Sequence, residues 1–138
     1  MTIRPQAAEF LDAVRVTDSV EPFRPILEGF LASRGNFSRD IDVSLATDPD
    51  SLFGHCLRAA IIVRGDDTRR RSAVAESVNV IEVISHDANS QARRHASAAR
   101  AWFDGDHALA LERYGAIIVD FPRDILALVV AHALDFRL

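Results

Sequence analysis

Apolar residues recur at steps of three and four along almost the whole chain, and short Gly-Asp, Asp-Pro and Ser-containing breaks separate the runs. That is the period of amphipathic helices. The first run, Pro5 to Val16, carries Ala7, Ala8, Leu11 and Val14 at helical spacing. Asp18, with Glu21 three residues on, is a capping-box signature for a second helix. Its apolar face is Phe23, Ile26, Leu27, Phe30 and Leu31, and Gly35 supplies its stop. Ser38 is placed to cap a third helix, with Phe37 as staple and Ile41, Leu45 and Ala46 turned inward. That helix ends at Asp48-Pro49-Asp50, because the residue before proline avoids helical geometry. A fourth, Ser51 to Val63, is apolar on more than one face, which implies burial between neighbours. Beyond the Gly65-Asp66-Asp67 turn, Arg69 to Ser85 shows Val74, Val78, Ile81 and Ile84 or Ser85 as its buried line.

The loop His86 to Ser90 ends in good capping residues. Ala92, Ala96, Ala99 and Phe103 follow as a narrow stripe whose small side chains admit a close partner helix. After Asp104-Gly105-Asp106, the next helix buries Ala110, Leu111, Tyr114, Ile117, Ile118 and Phe121. A last helix runs from Asp124, its cap, toward Leu138. No alternating run is bounded by hairpin turns, so no strands are expected. The reading is all-α: seven to eight helices in a single domain over residues 1–138, stacked as an irregular helix-pair array.

Composition narrows the function classes. A net charge of -4 gives no electrostatic footprint for nucleic acid or acidic lipid. The longest apolar runs fall far short of the roughly 18–20 residues that a membrane helix needs. The one cysteine, Cys56, excludes an intrachain disulfide framework and suits a reducing cytoplasm. All 16 basic residues are arginine, a bias that reads as genomic base composition. The Arg69-Arg70-Arg71 run lies near a helix N-terminus, where cations are disfavoured. It is read as a solvated turn offset by Asp66 and Asp67, with a phosphate or acidic-partner contact as the alternative.

The stretch Gln91 to Asp124 has the spacing of one tetratricopeptide unit. Gly105-Asp106 makes the turn, Ala110 is the small residue at closest helix approach, Tyr114 the aromatic wedge and Pro122 the stop. The first-helix positions depart from the pattern, with Arg94, Ser97 and Ala98 where Trp, Leu and Gly are usual. Three blocks carry a closer likeness: ATDPDSLFGHCLRAAIIVRGD, RRHASAARAWFDGDHALALERYGAIIVDFPRDILAL and VAHALDFRL. They resemble the N-terminal portion of the tetratricopeptide repeat protein thirty-eight family, over most of the chain from about Val20. That resemblance implies a helical repeat fold and a binding role, with no catalytic activity to carry over. Ala133 stands where the family commonly has Asp after the His, which departs from a working His-Asp pair at His132.

No phosphate loop, dinucleotide fingerprint, nucleophile elbow or metal spacing is present. No catalytic, cofactor or metal residue is therefore assigned. The candidate polar residues are His55, and His132 with Asp135 as an i, i+3 pair on one helix face. Cys56 reads as a small buried hydrophobe, and His95, beside Arg93 and Arg94, as a wet helix face. Three functions follow from the pattern. The first is an interaction module for a protein or peptide partner. The second is a homo-oligomer through Ile125 to Leu138, a helix apolar nearly all round where terminal repeats are normally polar outside. The third is a cleft enzyme using His55 or His132.

Overall fold

The computed structural model describes residues 20–32 and 37–138. The helix expected over Pro5 to Val16, the Asp18 cap and the Gly35 stop lie outside the described residues. Seven helices, with no strand among the described residues, make an all-α stack. A 3-10 turn, Glu21–Phe23, leads into α1, Arg24–Leu31, with Pro25 in the first turn, where its missing N–H costs nothing. Then come α2, Ser38–Thr47, and α3, Leu52–Gly65. A second 3-10 turn, Thr68–Arg70, precedes α4, Arg71–Ile84. The stack continues with α5, Gln91–Phe103, α6, His107–Asp120, and α7, Ile125–Arg137.

Two helices lie inside. Helix α3 packs against α2, α4, α5 and α7, which is why its apolar surface had to extend around the helix. From Leu52 to Ala60 every residue is buried, including His55 and Arg58. Helix α5 packs against α3, α4 and α6. Its alanines at positions 92, 96, 98, 99 and 101 are all buried, and their small size brings the neighbouring backbones close. Val74, Val78 and Ile81 of α4 are fully buried, as are Ala110, Tyr114 and Ile117 of α6, while Ile84 is half-buried.

The helix starts are local devices. Ser51 accepts from the Gly54 amide, Ser90 from that of Arg93, Asp106 from that of Leu109 and Asp124 from that of Ala127. Each such cap contributes about 1 kcal/mol. In α2 the expectation needs correction: Phe37 takes the capping position and Ser38 is already the first helical residue. Ala46 is exposed, because the α2 face turned to the core passes through Ile41 and Leu45.

The helix ends are tied over long range. Four carry carbonyls bonded by arginines from elsewhere in the chain. Arg64 donates to Phe30 O at the end of α1, and Arg137 to Val63 O and Arg64 O at the end of α3. Arg93 donates to Ser85 O after α4, and Arg71 to Phe103 O at the end of α5. The last carbonyls of a helix have no partner within it, and the local charge there is negative, so a guanidinium serves both needs. At the α3–α4 turn it is Asp66, not Gly65, that takes left-handed backbone, with φ +50°. An Asp tolerates that conformation, and its carboxylate accepts from Trp102 Nε1 at 2.9 Å, joining the turn to α5.

Close packing leaves no room for a Cβ at two glycines, Gly29 against the Phe37 ring and Gly54. A Cβ on Gly54 would lie 2.6 Å from Phe23 Cζ and 2.8 Å from Leu45 Cδ2. The Phe23 ring is itself held edge-on against Phe53, 6.3 Å between centroids, so it has no room to withdraw. A Cβ on Gly115, within α6, meets nothing within 4 Å. Gly54→Ala is therefore expected to destabilise by about 1–3 kcal/mol, and Gly115→Ala to stabilise by about 0.5–1 kcal/mol. Urea unfolding of the two variants checks this, and equal midpoints would refute the packing argument.

Candidate functional site

Two buried polar clusters and one exposed face compete as the site. The first cluster grows from the α7 cap. Asp124 is 3% exposed, and its Oδ1 accepts from the Ala127 amide. Its Oδ2 meets His95 Nε2 and Gln91 Nε2, each at 2.7 Å. His95 is 1% exposed, which corrects the expectation of a wet face. The missed signal was position: His95 follows Ala92 by three and precedes Ala99 by four, so it belongs to the buried alanine stripe. Burial pushes the Asp124 carboxyl up, but the His95 charge and the hydrogen bonds from His95, Gln91 and Ala127 outweigh it and hold the carboxyl below its ordinary value. Tyr114 packs edge-on to His95, 5.9 Å between centroids, and burial, then Cys56 and Asp124, push its phenol up. It remains a neutral wedge in the core. Cys56, fully buried, directs its thiol toward Ala92 O.

The second cluster surrounds His55, which is buried. Its Nε2 lies 2.7 Å from Pro49 O, and since a carbonyl only accepts, that nitrogen carries the proton. In neutral His55 the other nitrogen then accepts from the Ser77 hydroxyl at 2.9 Å. Arg58 Nε donates to the same Ser77 oxygen at 2.8 Å. Arg58 also reaches Glu76 and Asp42, and Arg70 clamps Asp42 while donating to Ser38 O. A serine bonded to a histidine suggests nucleophilic chemistry, but here the geometry opposes it. The Arg58 N–H occupies the oxygen that would attack, Ser77 is fully buried, and Pro49 O holds the imidazole from behind. The cluster fastens the α2–α3 turn onto α4. Burial, followed by the Arg58 charge, pulls His55 below the ordinary histidine value against the opposing pull of Pro49 O, Glu76 and Asp50.

Helix α7 presents the third feature. His132 and Asp135 are both exposed on it, with no hydrogen bond between them, and neither lies in the His55 cluster. The candidate polar residues therefore occupy two separate places. His132 lines an open groove of about 660 Å³ with Leu31, Arg64, Val129, Ala133 and Phe136. Beside it Phe136 is 88% exposed, Leu138 66% and Leu128 48%. The repeat-defining residues sit elsewhere: Gly105 at φ +83°, Asp106 as cap, Ala110 and Tyr114 fully buried, and Pro122 just past α6. Among the described residues, no group of three or more His, Cys, Asp or Glu is placed to hold a metal ion, and no helix is long and apolar enough to cross a membrane.

Both clusters make measurable predictions. Asp124→Ala removes a cap and leaves two buried donors facing a void, a loss of about 3–5 kcal/mol. Asp124→Asn, which keeps an acceptor for the Ala127 amide, is expected to lose less. Equilibrium unfolding showing under about 1 kcal/mol for the alanine variant would contradict this account. For His55 the sign follows from a lowered folded pKa. The unfolded chain binds the proton more readily, so the stability is fully present above the ordinary value of 6.5 and is lost as pH falls through the folded value. His55→Gln, which keeps one donor and one acceptor, is expected to remove that slope. Parallel stability curves for the two proteins between about pH 7.5 and 5.5 would show that another group carries it. No family model matches the chain, and no solved structure matches it.

Proposed function

We propose that the chain is a tetratricopeptide-like interaction module that docks a protein partner on the outer face of α7. The observation that carries this reading is the apolar exposure of Phe136, Leu138 and Leu128 beside the groove lined by Leu31, Val129 and Ala133. A groove of this kind suits the apolar side of a partner helix. The histidine clusters support the same reading by elimination. Both hold helices together, whereas α7 carries apolar side chains that are exposed among the described residues. The Gly105, Asp106, Ala110, Tyr114 and Pro122 pattern supports the repeat class, and a reducing, cytoplasmic setting belongs to the same proposal because Cys56 is a buried free thiol.

A second copy of the chain is the other reading, favoured by His132 and Asp135. They lie one turn apart on the same exposed helix, so an antiparallel pairing of two α7 helices would set each imidazole near the opposite carboxylate.

Phe136→Asp combined with Leu128→Asp tests both. Because both side chains are exposed, the fold is expected to change by less than about 0.5 kcal/mol. Capture of the partner from the source cell is expected to fall by roughly tenfold or more, as for a lost hot spot. Sedimentation of the unaltered protein separates the readings: a dimer that the double variant dissociates favours self-association. Unchanged capture together with an unchanged sedimentation coefficient would sink the α7 face altogether.

A further inference from the structure

A second surface lies on α4 and α5, away from the groove on α7. The opening turns of α4 and the end of α5 enclose a shallow groove of about 680 Å³, with Ala75, Val80 and Phe103 among its lining residues. Two guanidiniums flank the Phe103 ring. Arg71 lies 4.5 Å from its centroid and Arg100 5.7 Å. Their hydrogen bonds go to neutral acceptors, Arg71 to Phe103 O and Arg100 to Asn79 Oδ1. Neither forms an ion pair with a carboxylate among the described residues. Arg69 stands at the same rim with its side chain 90% exposed, reaching only the neighbouring Asp67.

Arg24, Arg58, Arg70 and Arg94 are each matched to a carboxylate. Arg71 and Arg100, like the helix-closing Arg93 and Arg137, donate to neutral oxygens, but here two guanidiniums meet at one aromatic ring beside a groove. Glu76, the acid lining the groove, is engaged by Arg58. The chain has 20 acidic and 16 basic residues, and against that balance Arg71 and Arg100 form no ion pair among the described residues, while the exposed Arg69 meets only Asp67. A guanidinium stacked on an aromatic ring keeps its remaining N–H groups in a fixed plane, suited to bidentate bonding of a carboxylate. An apolar floor between such groups accepts an aliphatic side chain.

We infer that this groove docks an acidic peptide segment of a partner protein, its carboxylates meeting Arg71, Arg100 and Arg69 and an apolar residue resting on Phe103. The inference rests on the interaction-module reading but uses a different surface. Loss of one therefore leaves the other measurable.

The probe is a short fluorescent Glu-rich peptide with one central Leu, titrated against the intact protein by anisotropy. Arg71 also holds the end of α5, so the principal variant is R69E/R100E, which spares it. Arg39→Glu, on the exposed side of α2, is the control. The peptide is expected to bind the unaltered protein, to weaken as salt rises, and to lose roughly tenfold or more with R69E/R100E but not with R39E. Absence of binding to the unaltered protein, or equal losses in the two variants, overturns the proposal. So does equal binding of a Lys-rich peptide of the same length, tighter binding of a short oligothymidylate, or full displacement by inorganic phosphate at peptide-like concentrations. Normal partner capture by R69E/R100E alongside failure of the α7 variant would leave the interaction module standing without this groove.

Discussion

One buried carboxylate sets how the last two helices join the rest. Asp124 starts α7 by accepting from the Ala127 amide, and its other oxygen accepts from two side chains of α5. A cap alone would fix where α7 begins but not what it leans on. Donors from His95 and Gln91 add direction, because both project from α5 in the interior of the stack. The carboxylate is nearly sealed from water, and at such depth an unmatched charge would be prohibitive. The bonds to Asp124 therefore hold the α6–α7 turn against α5 rather than merely decorating it. Tyr114, edge-on to His95, completes the wall and ties α6 to the same point.

The same logic recurs at the helix ends with the sign reversed. Arg64, Arg71, Arg93 and Arg137 each place a cation on the carbonyls that close a helix distant in sequence or just preceding. Arginine fits this task better than lysine, since its planar fork reaches two carbonyls at once, as Arg137 does with Val63 O and Arg64 O. A chain whose only basic side chain is arginine can thus seal its irregular stack without acidic partners at every joint. The Arg69-Arg70-Arg71 run makes the point. It was read as a solvated turn, yet Arg70 grips Asp42 and Ser38 O on α2, and Arg71 closes α5.

What could be read beforehand divides along the same line. Ser90 and Asp124 were legible as caps because each acts on an amide three residues ahead, whereas Ser51 and Asp106, which cap in the same way, were read only as a helix start and a turn. The buried lines Val74, Val78 and Ile81, or Ala110, Tyr114 and Ile117, follow from period alone. The arginine bonds span up to seventy-four residues and leave no local trace. His95 was misread because its neighbours are arginines. Its helix is polar on average, and alanine gives only a weak apolar stripe. Asp66 was hidden behind Gly65, the residue that ordinarily takes left-handed backbone, because the Trp102 contact that rewards an aspartate there is long-range. As for the site, His55 was legible as a candidate polar residue, while its arginine and serine partners on α3 and α4 were not. His132 and Asp135 were correctly placed on one helix, but nothing in their spacing could show that they face solvent without touching.

This division also bears on where function can reside. The hydrogen bonds gathered around His55 and Asp124 join helices, so altering them changes stability before it changes anything else. Phe136 and Leu128 are the opposite case. Most of the Phe136 surface and about half of that of Leu128 lie in water, and exposed apolar area of this kind carries a standing solvation cost of about 25 cal/mol per Å². Covering it returns that free energy to whatever covers it. A helix whose inner side packs into the core, and whose outer side carries apolar side chains exposed among the described residues, is one on which binding and stability can be varied independently.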